Sequence, residues 1–97
     1  MITIEDEIHA ESQGSFLTIK DAILELEKRS KIPWNETPNQ APCTSWETCG
    51  RYYEIIEYDD TSTPWKELRR IPALEISSND ITWYIKLDEE GNLLLDL

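Results

Sequence analysis

A central β-strand is predicted by one stretch in the middle of the chain, Arg51-Tyr52-Tyr53-Glu54-Ile55-Ile56-Glu57-Tyr58. Aromatic and β-branched residues dominate it, as is typical of strands. Because side chains alternate along a strand, the apolar residues divide between its two faces, with Tyr52, Ile56 and Tyr58 on one and Tyr53 and Ile55 on the other. We expect such a strand to lie inside a sheet, covered by a helix on one side and by a tryptophan-containing loop on the other.

The covering helix is predicted upstream of this strand. Apolar residues recur there at the helical spacing i, i+3, i+4, i+7, namely Ile19, Ala22, Ile23 and Leu26. Thr18 and Asp21 have the spacing of a capping box, which marks the start of the helix. The helix is expected to end by Ile32, because Pro33 disfavours helical geometry in the residue before it.

The remaining elements are predicted as short strands. Residues 71–77 and 81–87 and the leucines of 93–97 alternate as strands do, and Ile2 and Ile4 indicate a possible edge strand before a polar, partly mobile lead-in. Pro72 is expected at a strand start or on an edge, and Trp83 on a core-facing row. The sequence therefore predicts one α+β domain over residues 1–97. Its N-terminal amphipathic helix packs on a three- to four-stranded antiparallel meander, with a long ordered Trp/Pro loop at residues 33–50.

The net charge of the chain favours some classes of partner over others. The chain has 20 acidic and 9 basic side chains, a net charge of −11 at neutral pH. This field repels nucleic acid and anionic membranes and attracts basic protein surfaces, although acidity alone also serves solubility. The sequence contains no run of roughly 18 apolar residues and no export signal, so we expect a cytoplasmic protein with no membrane association.

Metal-binding and catalytic chemistry have little support in the sequence. Cys43 and Cys49 lie too far apart for the usual paired zinc ligands, and His9 is the only histidine. Two reduced thiols are the default interpretation, with a disulfide and a zinc site as alternatives. No nucleotide-binding motif occurs, and adjacent carboxylates fall in predicted turns. We therefore predict no catalytic residues, no metal and no cofactor, and a protein that is not an enzyme.

A partner-binding site is predicted where loop tryptophans meet acidic turn residues. An indole at the end of an element either roofs a core or anchors an interface, and a carboxylate pairs with arginine or lysine across one. The six predicted binding residues are Trp34, Trp46, Glu57, Asp59, Asp60 and Trp65.

In length, acidity and an aromatic-rich middle, the chain resembles the small acidic immunity proteins of bacterial toxin–immunity systems. That middle comprises Ile32-Pro33-Trp34-Asn35, Ala41-Pro42-Cys43-Thr44-Ser45-Trp46 and Cys49-Gly50-Arg51-Tyr52-Tyr53. The resemblance implies a monomer or weak homodimer that neutralises a basic toxin or nuclease domain. A nucleic-acid mimic and a small ligand-binding or enzymatic domain are the alternatives. A further possibility is a subunit of a larger assembly.

Overall fold

The computed structural model of the chain describes residues 1–8, 11–34, 36–39, 50–77, 80–87 and 93–94. Its elements, in chain order, are β1 (Ile2–Asp6), β2 (Glu11–Phe16), α1 (Ile19–Ser30), β3 (Arg51–Asp59), β4 (Lys66–Ile76), β5 (Ile81–Trp83), β6 (Lys86–Leu87) and β7 (Leu93–Leu94).

Five of the strands form one antiparallel sheet in the order β2-β1-β3-β4-β5, and β6 pairs with β7 separately. The α+β class is confirmed, and β3 is central as expected. The predicted number of three to four strands is too low. The polar lead-in supplies β2, and β1 lies between β2 and β3 instead of on an edge. No helix in the described parts of the chain has the length and apolarity needed to cross a membrane.

Helix α1 begins as the sequence predicts. The Asp21 backbone N–H donates to Thr18 Oγ1 at 3.1 Å, and Lys31 caps the other end. Ala22, Ile23 and Leu26 are buried against the sheet. Each fully buried aliphatic side chain of leucine size contributes about 1.5–3 kcal/mol, so this stripe holds the helix in place.

The helix covers only one side of the sheet. The core between the two layers comprises Ile2, Ile4, Ala22, Ile23, Leu26, Tyr53, Ile55, Ala73, Leu74 and Ile76. Ile56 is also fully buried but lies outside this cluster, because its side chain alternates to the opposite face.

A buried ion pair links the N-terminal hairpin to β3 on the helix side. Arg51 Nη1 donates to Asp6 Oδ2 at 2.8 Å and to Glu11 Oε1 at 2.7 Å. Burial lowers the pKa of Arg51, but the hydrogen bonds with the two carboxylates outweigh it and raise the pKa above its ordinary value. Asp6 Oδ1 also accepts the backbone N–H groups of Ile8 and Tyr52, so a fully buried carboxylate binds three donors.

Strand β4 departs from its prediction. It starts at Lys66, five residues earlier than expected, and Pro72 lies inside it. The register shifts between Tyr53 and Glu54, and this irregularity lets β4 accommodate a residue without a backbone donor. Trp83, expected on the core row, is 38% exposed. The sheet therefore continues through positions where the sequence predicts its end.

The long Trp/Pro loop is described at residues 33–34, 36–39 and 50, whereas Asn35 and residues 40–49 lie outside the described part. Trp46, Cys43 and Cys49 fall there, and so does His9 from the N-terminal segment. The described part of the loop is tied to the helix and to β3. Buried Asn39 donates to the carbonyls of Arg29 and Ile32 and accepts the Tyr53 hydroxyl.

Candidate partner-binding face

The side of the sheet away from α1 carries three of the four described tyrosines and five of the ten described glutamates. Cross-strand register places Glu5 opposite Glu54 and Tyr52 opposite Glu75, and alternation along each strand extends these rows. We call this surface the glutamate face. Its functional groups are Glu5, Glu7, Tyr52, Glu54, Tyr58, Glu67, Arg70, Glu75 and Tyr84.

The centre of the glutamate face is one arginine held by three carboxylates. Arg70 contacts Glu7 and donates to Glu54 Oε1 at 3.0 Å and to Glu67 Oε1 at 2.7 Å. The hydrogen bond with Glu67 contributes most to raising the pKa of Arg70 above its usual range. One positively charged side chain is therefore shared by three glutamates, so the cluster contains more acidic than basic groups.

Glu54 is the most enclosed of these carboxylates, with 7% of the residue exposed. Burial raises the pKa of Glu54, the hydrogen bond from Arg70 lowers it, and the neighbouring Glu7 raises it again. The net result is a pKa above the ordinary value, so Glu54 keeps its proton to higher pH than a solvated glutamate.

Tyr58 marks one end of the face. Its hydroxyl donates to Glu5 Oε2 at 2.7 Å, and its ring lies 5.8 Å from that of Trp65 between centroids. Burial and the hydrogen bond to Glu5 raise the pKa of Tyr58 to about 12. The phenol therefore stays protonated and holds the Glu5 carboxylate in place at neutral pH.

A second aromatic pair marks the other end. The rings of Tyr52 and Tyr84 lie 5.5 Å apart, tilted by 35°, and the Tyr84 hydroxyl donates to Glu75 Oε1 at 2.6 Å. That hydrogen bond raises the pKa of Tyr84, and burial raises that of Tyr52. Both ends of the face thus combine an exposed or half-buried ring with a positioned carboxylate.

Four of the six predicted binding residues lie near one end of β3 and β4. Glu57 pairs with Arg69 at 3.5 Å. Asp59 accepts the side-chain and backbone donors of Thr61, and these bonds lower its pKa. Asp60 lies 3.9 Å from the N-terminal amine, and Trp65 is 46% exposed.

Trp34 is not part of this group. Trp34 is half-buried against the core and lines a groove with Ile76, which pairs with Arg51 at the opposite end of β3 from Asp59. Eight residue steps along a strand span about 26 Å, so Trp34 is distant from Trp65. Trp46 falls outside the described residues. The described residues therefore bring four of the six predicted residues together and place Trp34 apart from them.

The tyrosines and Arg70 are the part of this surface that sequence reasoning missed. The sequence predicts that Tyr52 and Tyr58 lie on one of the two covered faces of the central strand, and it assigns Arg70 no role at this surface. A signal was present, because Glu54 alternates with Tyr52 and Ile56. A buried face does not normally include a glutamate, which indicates a partly solvated surface.

Among the grooves formed by the described residues, two lie elsewhere, beside α1 and β5. The first, about 440 Å³, is lined by Glu27, Ser30, Lys31, Trp83 and Ile85. The second, about 370 Å³, includes Ile32, Trp34, Ile76 and Ile81. Glu54 lines neither, and the described residues contain no group of three His, Cys, Asp or Glu side chains suited to a metal. Glu27 contributes a carboxylate to the first groove, and Asp80 contributes one to the second.

Comparison of the chain with protein-family models, curated proteins and solved structures found no match. The geometry of the glutamate face is therefore the basis for a functional proposal.

Proposed function

We propose that this chain is an inhibitory binding protein of the immunity type, which neutralises a basic toxin or enzyme domain in the bacterial cytoplasm. The observation that carries the proposal is the composition of the glutamate face, where five glutamates accompany one arginine. A rigid sheet presents these groups, so a partner meets charges whose positions are already fixed.

The net charge of −11 supports a basic partner. Electrostatic attraction over several ångströms raises the association rate with a cationic surface and lowers it for acidic competitors. Long-range steering is screened by salt, with a Debye length of about 8 Å at physiological ionic strength. Complex formation is therefore expected to slow as salt increases.

Capture followed by a growth assay tests this function. The chain is used to purify its partner from the native source, and that partner is then expressed in bacteria alone and together with the chain. We expect a basic protein that arrests growth when it is alone and is harmless in the presence of the chain. A captured protein that leaves growth unaffected contradicts the proposal.

One observation favours a second function, mimicry of nucleic acid. Glu5 lies in β1, and Glu7 follows the strand directly, where its backbone N–H still donates to the Tyr52 carbonyl. Two residues of extended chain span about 7 Å, which is comparable to successive phosphates on one nucleic-acid strand. A mimic occupies the DNA site of its target enzyme. Competition between duplex DNA and the chain for the captured partner separates this function from toxin neutralisation by blocking another surface.

A further inference from the structure

The glutamate face already binds one guanidinium group, that of Arg70. Its two terminal nitrogens divide among three glutamates, with Nη1 contacting Glu7 and Glu54 and Nη2 contacting Glu67. The planar fork of arginine suits carboxylate pairs because it directs several N–H donors at fixed angles, whereas the ammonium of lysine acts as a point charge. The carboxylates at the centre of this face are therefore spaced for guanidinium recognition.

Two further carboxylates on the face have capacity for a partner. Glu5 accepts hydroxyl groups from Thr3 and Tyr58, and Glu75 accepts one from Tyr84. No basic side chain in the described ranges forms an ion pair with either glutamate. A carboxylate offers about four lone-pair positions, so the hydroxyl bonds fix these groups without saturating them.

Aromatic rings lie at both ends of this row of carboxylates. The Tyr52–Tyr84 pair and the Tyr58–Trp65 pair are separated by six residues of β3, which correspond to about 20 Å. On the same face, Glu67, Arg70 and Tyr84 are exposed. Guanidinium groups stack on tyrosine and tryptophan faces, so the rings suit the same side chain as the carboxylates do.

We infer that the glutamate face binds an extended, arginine-bearing segment of the partner and selects arginine over lysine. This inference rests on the proposed function, since it names the surface and the side chain by which a basic partner is held. Charge complementarity selects the occupant: a second copy of the chain presents the same acidic face and is repelled.

Fluorescence anisotropy of the intact chain tests the inference with two labelled peptides, one of alternating arginine and serine and one of alternating lysine and serine. We expect the arginine peptide to bind about fivefold more tightly than the lysine peptide, the upper range for an exposed ion pair. The variants Glu67→Gln and Glu75→Gln are expected to weaken arginine-peptide binding by about fivefold each. Tyr84→Ala is expected to weaken it by a similar factor, because it removes an exposed ring on which a guanidinium can stack.

Glu36→Gln is the matched control. It removes one charge from an exposed residue in the segment that Asn39 ties to the helix, away from the glutamate face. We expect its affinity to stay within about twofold of wild type, as for a charge that acts only at long range. Thermal unfolding of every variant confirms that the fold is intact.

Three results overturn the inference: equal affinity for the two peptides, equal losses in Glu36→Gln and Glu75→Gln, or no binding of either peptide by the wild-type chain. Each leaves the capture and growth assay to decide the proposed function independently. The inference is supported if the arginine peptide binds more tightly than the lysine peptide and if only the substitutions on the glutamate face weaken its binding.

Discussion

Replacing Asp6 with asparagine removes the fully buried negative charge that faces Arg51. Asparagine keeps an oxygen for the backbone N–H groups of Ile8 and Tyr52, so the change isolates the charge. Breaking a buried ion pair by removing one partner costs about 3–5 kcal/mol. Glu11 still accepts from Arg51, so we expect the lower end of that range, a loss of about 3 kcal/mol in the free energy of unfolding.

Urea unfolding followed by tryptophan fluorescence and circular dichroism measures this loss. A domain of this size has a total stability of about 5–15 kcal/mol, so the variant is expected to fold at room temperature with an unchanged urea slope. Glu11→Gln is the matched control. Its carboxylate is 41% exposed, and we expect a loss of about 1 kcal/mol or less. Equal losses in the two variants refute the assignment of Asp6 as the buried partner.

Two further outcomes are expected. Gly50→Ala places a Cβ against the backbone oxygen of Ile76, so β3 and β4 must separate. We expect the free energy of unfolding in urea to fall by about 2 kcal/mol or more. An unchanged midpoint contradicts this close approach. Glu5→Gln is expected to lower the pKa of Tyr58 from about 12 towards 10, measured by phenolate absorbance with Tyr58→Phe as reference. Because the pKa of Tyr58 is raised in the fold, the stability that this group contributes is fully present below pH 10 and is lost as the pH rises through about 12. The Glu5→Gln variant is expected to show less of this loss.

Local signals in the sequence predict the helix well. The spacing of Ala22, Ile23 and Leu26 and the Thr18 cap are properties of neighbouring residues, and the structure confirms both. The same reasoning misses the burial of Arg29, whose guanidinium lies 5.2 Å from the centroid of the Tyr53 ring. Its burial depends on β2 and β3, which are distant in sequence, so no local pattern contains it.

Strand pairing explains the other differences. The residues of β2 have a polar composition typical of a loop, and they form a strand because β1 offers an unpaired edge. The glutamate face has the same origin, since Glu7, Glu54 and Arg70 meet only after β1, β3 and β4 pair. The composition shows that the chain is acidic, but which carboxylates come together depends on the register of the paired strands, which is a tertiary property.

The opposite sides of the sheet differ in charge as well as in shape. The helix segment 19–31 contains four basic and three acidic side chains, whereas the glutamate face has five acidic groups and one basic group. Between these two groups of side chains, the difference in charge forms a local electric dipole across the sheet. In the field of a cationic body such a dipole experiences a torque, which rotates the glutamate face forward before contact. The fold thus influences the orientation of a collision as well as its frequency.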